Sequence, residues 1–147
     1  MSIYDYLDRK LATKRILRGW HDRAYARDHN RDKIEYIRAK LTKTTQSMGS
    51  SPVKGGGSSK EQQLVNGLDA IDRLEREICD AEETQSELER CWAQLTEEEK
   101  LCLVCMFVDN EDRQGYKRLM EDLCVEKSEA FRRANDALER LSFLLFW

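Results

Sequence analysis

Residues 95–141 read "LTEEEKLCLVCMFVDNEDRQGYKRLMEDLCVEKSEAFRRANDALERL", and their apolar spacing decides the fold. Thr96 with Glu99 three residues later is a capping box, a pairing that satisfies two otherwise orphaned N–H groups at a helix start. Leu101 to Val108 follows almost wholly apolar, as suits the central helix of a small three-helix unit, buried on most sides. "DNEDRQG" (109–115) is a polar connection. The next helix is expected from Tyr116 to Leu123, with Leu119, Met120 and Leu123 inward. "CVEK" (124–127) makes a turn with Val125 inward. Ser128 is expected to cap a last helix carrying Phe131, Ala134, Leu138, Leu141 and Leu145 on one face.

That order of support helix, short turn and capped second helix is the order of a helix-turn-helix. Its outward side chains would be Glu129, Arg132, Arg133 and Asp136, with Lys127 beside the cap. Arginine pairs bidentately with guanine, and Lys or Arg neutralises phosphates, so Lys117, Lys127, Ser128, Arg132 and Arg133 are the candidate DNA-binding residues. Arg113 and Arg118 are further candidates for the phosphate backbone. Against this, residues 100–147 hold 8 bases and 9 acids, Cys124 stands where such turns prefer glycine, and Met120 where they prefer a small residue. A three-helix packing unit that touches no DNA is the alternative.

Upstream, Ile71, Leu74, Ile78, Ala81, Gln85, Leu88, Trp92 and Leu95 recur at alternating steps of three and four. This heptad seam predicts a long acidic helix over 61–95 packed against another helix, with Gln85 as its one polar interruption. Residues 1–44 form a basic helical arm. Ser2 and Asp5 start it, Leu7 and Leu11 share a face, Gly19 is a candidate break, and Ile34, Ile37 and Leu41 resume the spacing. Between the two lies "TQSMGSSPVKGGGSSK" (45–60), a Gly/Ser-rich linker with almost nothing to bury. Its triple glycine would cradle phosphate only after a strand, and no strand pattern precedes it. The expected architecture is therefore all-α: a long helical hairpin, the arm folded back on 61–95, joined to a helix-turn-helix unit over 96–147. A second copy of the chain is the other possible partner for the seam, so a homodimer stays open.

The bulk numbers fit this outline. In 147 residues, 36% are charged, 8% are aromatic and one is proline, which suits amphipathic helices better than one large core. No apolar run is long enough to cross a bilayer. The opening "MSIYDYLDRKLATKR" has no apolar signal core, and five irregularly spaced cysteines fit free thiols, so a cytoplasmic protein is expected. The net charge of −3 conceals an asymmetry: residues 1–60 hold 14 Lys and Arg against 6 Asp and Glu, residues 61–147 hold 11 against 22. Either the two arms pair with one another, or each meets an external partner of opposite sign.

Chemistry-bearing groupings are sparse. Cys102 and Cys105 form a C-x-x-C inside an apolar helix, and no spacing supplies two more zinc ligands, so both read as small core residues. His21 and His29 lie in a polar stretch and read as solvated. No nucleophile–base–acid grouping appears, so neither an enzyme nor a cofactor is expected. The tail "LSFLLFW" (141–147) either packs over the helical units or forms a partner contact.

Assembled, "LTEEEKLCLVCMF" and "GYKRLMEDLCVEKSEAFRRANDALERL" resemble region four of bacterial sigma factors. The basic first helix, Met48 ahead of Gly55 to Gly57, and "LEREI" (74–78) extend the likeness to small phage proteins of the ArpU and RinA type. Tyr116 and Leu119–Met120 stand where those proteins carry tryptophan and isoleucine–alanine. The resemblance implies a phage-encoded regulator of late, packaging or lysis transcription, with phage promoter DNA and host RNA polymerase as partners. A contrasting account makes the acidic helix, with 13 acids against 3 bases over 61–99, a nucleic-acid mimic seated in a basic groove on a host protein.

Overall fold

The computed structural model describes residues 2–48 and 57–147, and among them every regular element is helical. In chain order these are α1 (Ile3–Arg18), α2 (Trp20–Met48), α3 (Gly57–Trp92), α4 (Glu97–Leu103), a π-turn (Val104–Val108), α5 (Gly115–Leu123) and α6 (Lys127–Phe146). α2 and α3 run further into 45–60 than the composition suggests, and residues 49–56 of that expected linker lie outside the described residues. No described helix is long and apolar enough to cross a membrane.

The chain divides into two compact units. Arg23–Glu83 forms one, while Met1–Asp22 and Thr84–Trp147 together form the other. In the first of these the α2 and α3 segments make the expected hairpin. Ile34, Ile71 and Leu74 are buried between them, with Ile37, Leu41 and Ile78 packed around. Ion pairs border this seam: Arg31 to Glu82 at 2.6 Å and Arg38 to Glu75 at 2.9 Å, with Asn30 donating to Glu77 at 3.0 Å. The basic arm and the acidic helix thus pair within the hairpin. Exposed pairs contribute about 0–1 kcal/mol each, a buried aliphatic side chain about 1.5–3. The apolar seam holds the hairpin, and the charges fix its register.

The other unit is built around Leu17, Leu88, Leu103, Leu119, Leu138 and Leu141, each fully buried. Its first helix was expected to belong wholly to the hairpin arm. Gly19 breaks the helix as read, with non-helical dihedrals, but the preceding α1 lies on α6. Leu17 joins the common core, Tyr6 donates to Glu139 at 2.5 Å, and Lys10 reaches Asn135 and Glu139. Trp20 and Trp92 meet edge to face at 5.0 Å. Ile3, Tyr4, Leu7 and Leu11 form an exposed stripe on α1.

Both capping boxes form as read: Ser2 with Asp5, and Thr96 with Glu99. The apolar stretch after Thr96 is less regular than its composition suggests. After Leu103 the ladder widens by one residue, and the Asp109 N–H bonds to the Val104 carbonyl at 2.8 Å. Asn110 then ties this π-turn to α5, donating to the Met106 carbonyl at 3.0 Å and accepting from the Gly115 N–H at 2.9 Å.

One boundary requires correction. Ser128 does not cap α6. Glu126 occupies the N-cap in extended conformation, and the Ala130 N–H bonds to its carbonyl at 2.9 Å, so the helix starts earlier and Ser128 lies in its exposed first turn. The turn before it contains Cys124 in the left-handed region, at φ 53° and ψ 48°. A side chain there costs about 1–2 kcal/mol relative to glycine. Cys124→Gly is therefore expected to raise unfolding stability by about 0.5–1 kcal/mol in urea titration, part of the gain being returned as unfolded-chain entropy. A loss of stability would show that the thiol, which approaches the Glu121 carbonyl at 3.7 Å, matters more than the backbone.

Candidate nucleic-acid interface

α5, the turn at Cys124 and α6 present the five candidate residues on the unit's surface. Leu119 is buried beneath α5, Val125 packs inward from the turn, and Ala130, Ala134, Ala137 and Leu138 bury one side of α6. Burial of Ala130 and Ala137 was not read from the spacing, because alanine carries too little hydrophobic signal to mark a face. It lets neighbouring helices approach closely, which drives Lys127, Ser128, Arg132 and Asp136 to the opposite, exposed side.

The two lysines remain available. Lys117 is exposed, and its side chain makes no hydrogen bond or ion pair among the described residues. The Lys127 ammonium lies 4.8 Å from the centroid of the Tyr116 ring, which is stacked on Phe131 at 5.7 Å. A cation over an aromatic face retains its full charge and its outward donors.

The two arginines are differently placed. Arg132 grips Glu129 with both prongs, Nη2 to Oε1 at 2.5 Å and Nε to Oε2 at 2.9 Å, and sends Nη1 to Asp136 at 3.1 Å. Arg133 donates to Glu129 at 3.0 Å and to Glu98 at 2.9 Å. Arg118 pairs with Asp122 at 3.5 Å and Arg140 with Glu99 at 2.6 Å. The arginines of α6 thus meet solvent already neutralised by carboxylates that the charge count had registered but could not locate.

This clamp has a measurable signature. The hydrogen bond from Arg132, followed by that from Arg133, lowers the Glu129 carboxyl from its ordinary 4.5 to about 2. A carboxylate depressed by folding stabilises the fold above its unfolded value, and that contribution fades as pH falls from 4.5 toward about 2. Carbon-detected NMR titration is expected to find Glu129 ionised well below pH 4, and Arg132→Ala is expected to move its midpoint upward. An ordinary midpoint in the parent chain would mean that the clamp does not persist in solution.

Cys102 and Cys105 are buried in the common core as read, and burial pushes the Cys102 thiol up to about 11. Among the described residues no three His, Cys, Asp or Glu side chains come together as a metal site. His21 and His29 are both exposed; His21 Nε2 meets Asp109 Oδ1 at 2.5 Å, and His29 stacks on Tyr25 at 3.9 Å. In the tail, Leu141 and Ser142 are buried and Leu144 and Leu145 pack against the core. Phe143 and Trp147 stay exposed and stack at 5.3 Å, with Arg9 over the Trp147 ring. No family model, curated protein or solved structure matches this chain.

Proposed function

We propose that the chain is a sigma-like regulator of transcription that lays the first turns of α6 in the major groove of phage promoter DNA. The observation that carries this reading is the α5–turn–α6 geometry. Left-handed Cys124 and inward Val125 turn the chain sharply, leaving Lys117, Lys127, Ser128 and Arg132 exposed on consecutive helices. Lys117 and Lys127 supply the first phosphate contacts, and Arg132 and Arg133 are held in reserve by Glu129. RNA polymerase is the partner this reading implies, and the bacterial cytoplasm its setting.

The mimic reading has less support. Glu75 and Glu82, in the middle of the acidic helix, are already occupied by Arg38 and Arg31 within the hairpin. A surface that competes for a basic groove needs its carboxylates free.

Gel shifts of the full chain against promoter-region fragments, run across a salt series, test the regulator. Lys117→Ala with Lys127→Ala is expected to weaken binding about tenfold and to flatten the log–log salt slope by about two, since each neutralised phosphate contributes about 0.9. An unchanged slope would remove these lysines from the interface. A parent chain that retains no duplex even at low salt would end the reading.

A further inference from the structure

The unit of residues 1–22 and 84–147 holds a cavity of about 660 Å³ between the end of α1, the π-turn and the Tyr116–Phe131 pair, Phe131 coming from the first turns of α6. That volume falls in the range of small-molecule sites. Of the polar side chains lining it, His21 is paired with Asp109 and Asn110 with Met106 and Gly115, while four charged groups are uncommitted. Neither Arg18 nor Arg113 makes a side-chain hydrogen bond or ion pair among the described residues, and the same holds for the carboxylates of Asp22 and Glu111. In a chain whose other arginines are so often matched to carboxylates, two unpartnered guanidiniums lining one cavity suggest a missing anion.

The backbone around the cavity is unusual as well. Arg113 adopts φ 58°, one of only two positive values among the described non-glycine residues, and the other is the Cys124 turn. Strain of this kind persists where its surroundings hold it, and it clusters at binding sites. Met106, Phe107 and Val108, the last residues of the π-turn, form another wall. Phe131 lies at the rim, 43% exposed, although its place in the helical spacing predicts a core residue. Its ring is backed by Tyr116 at 5.7 Å, leaving an aromatic surface on which a planar ring can stack.

A planar apolar surface beside two guanidiniums fits a ligand that is part ring and part anion. We propose that this cavity binds a free nucleoside phosphate. The base stacks on Phe131, the phosphate lies between Arg18 and Arg113, and Asp22 and Glu111 accept hydrogen bonds from amino groups on the base. Arginine's planar fork suits phosphate better than lysine's point charge would. Lys127 lies over the Tyr116 ring that lines the site, and Arg113 is also a candidate backbone contact. None of Lys117, Lys127, Ser128, Arg132 and Arg133 lines the cavity, however, so its existence does not depend on duplex binding by α6.

Calorimetric titration of the full chain with guanosine 5′-monophosphate, guanosine, inorganic phosphate and a short single-stranded oligodeoxynucleotide tests the assignment. The monophosphate is expected to bind at a single saturable site, with guanosine and inorganic phosphate each at least about tenfold weaker, the loss expected for one set of charge-assisted contacts. Arg18→Gln and Arg113→Gln should each weaken the monophosphate about tenfold, whereas Phe131→Leu should weaken it without altering the response to inorganic phosphate. Thermal melts of the three variants, matching the parent, separate lost binding from lost folding. Three results would overturn the proposal: no saturable heat from the monophosphate at millimolar concentration, equal affinity in both folded arginine variants, or an oligonucleotide that fills the cavity and resists competition by the monophosphate.

Discussion

Gly115→Ala is expected to destabilise the unit containing α4–α6 by about 2–4 kcal/mol, the size of a serious packing violation. Helix propensity alone argues for the opposite sign, since alanine inside a helix is favoured over glycine by about 1 kcal/mol. Space decides the matter. A Cβ on Gly115 would fall 1.7 Å from the Cys105 carbonyl oxygen and 2.9 Å from Asn110 Oδ1. The carbonyl belongs to the π-turn and has no rotamer to escape into, and Asn110 is committed to both Met106 and Gly115. Gly67→Ala makes the matched control. There the added Cβ would meet Leu41 Cδ2 at 2.7 Å, the far end of a flexible side chain that can turn aside. Urea unfolding should therefore find Gly115→Ala much the weaker of the two. If Gly115→Ala were as stable as the parent, the close docking of α5 on the π-turn would be wrong.

Glu129→Gln is expected to tighten duplex binding about tenfold at low salt and to steepen the salt slope by about one. This expectation rests on the proposed regulator function. Glutamine keeps the size of the side chain but removes the charge that holds both arginines. Arg132 then retains only Asp136, and Arg133 only Glu98, at the start of a helix that was already outward-facing. A like-for-like filter-binding comparison checks it. Unchanged or weaker binding, in a variant that melts with the parent, would show that the two arginines stay off DNA even when released.

Features set by neighbouring residues were legible in the sequence. Capping boxes at Ser2 and Thr96 need only a three-residue spacing, the Gly19 break needs one residue, and the seam Ile71, Leu74, Leu88 and Leu95 needs a period. The exposure of Arg132 and Asp136 on α6 followed from the same periodicity, whereas Phe131, read on the buried face, is exposed. What escaped depended on distant partners. Leu7 and Leu11 share a helical face, yet Thr13 and Leu17 are buried instead, because α6 meets the other side of α1. The π-turn is invisible in a run as uniformly apolar as "LVCMFV". The clamp on Arg132 was legible in principle, since Glu129 and Asp136 stand three residues before it and four after, the reach of helical ion pairs.

The placement of Leu17 in the same core as Leu138 and Leu141 bears on how the chain assembles. Residues 1–22 leave the ribosome ahead of residues 84–147 but gain their apolar shelter only when those have followed, whereas the intervening hairpin has its partners close at hand. A newborn α1 must therefore wait exposed while a later-made segment is completed. A fragment beginning after Asp22 would lack that wall of the core permanently, leaving a hydrophobic scar where Leu17 should sit.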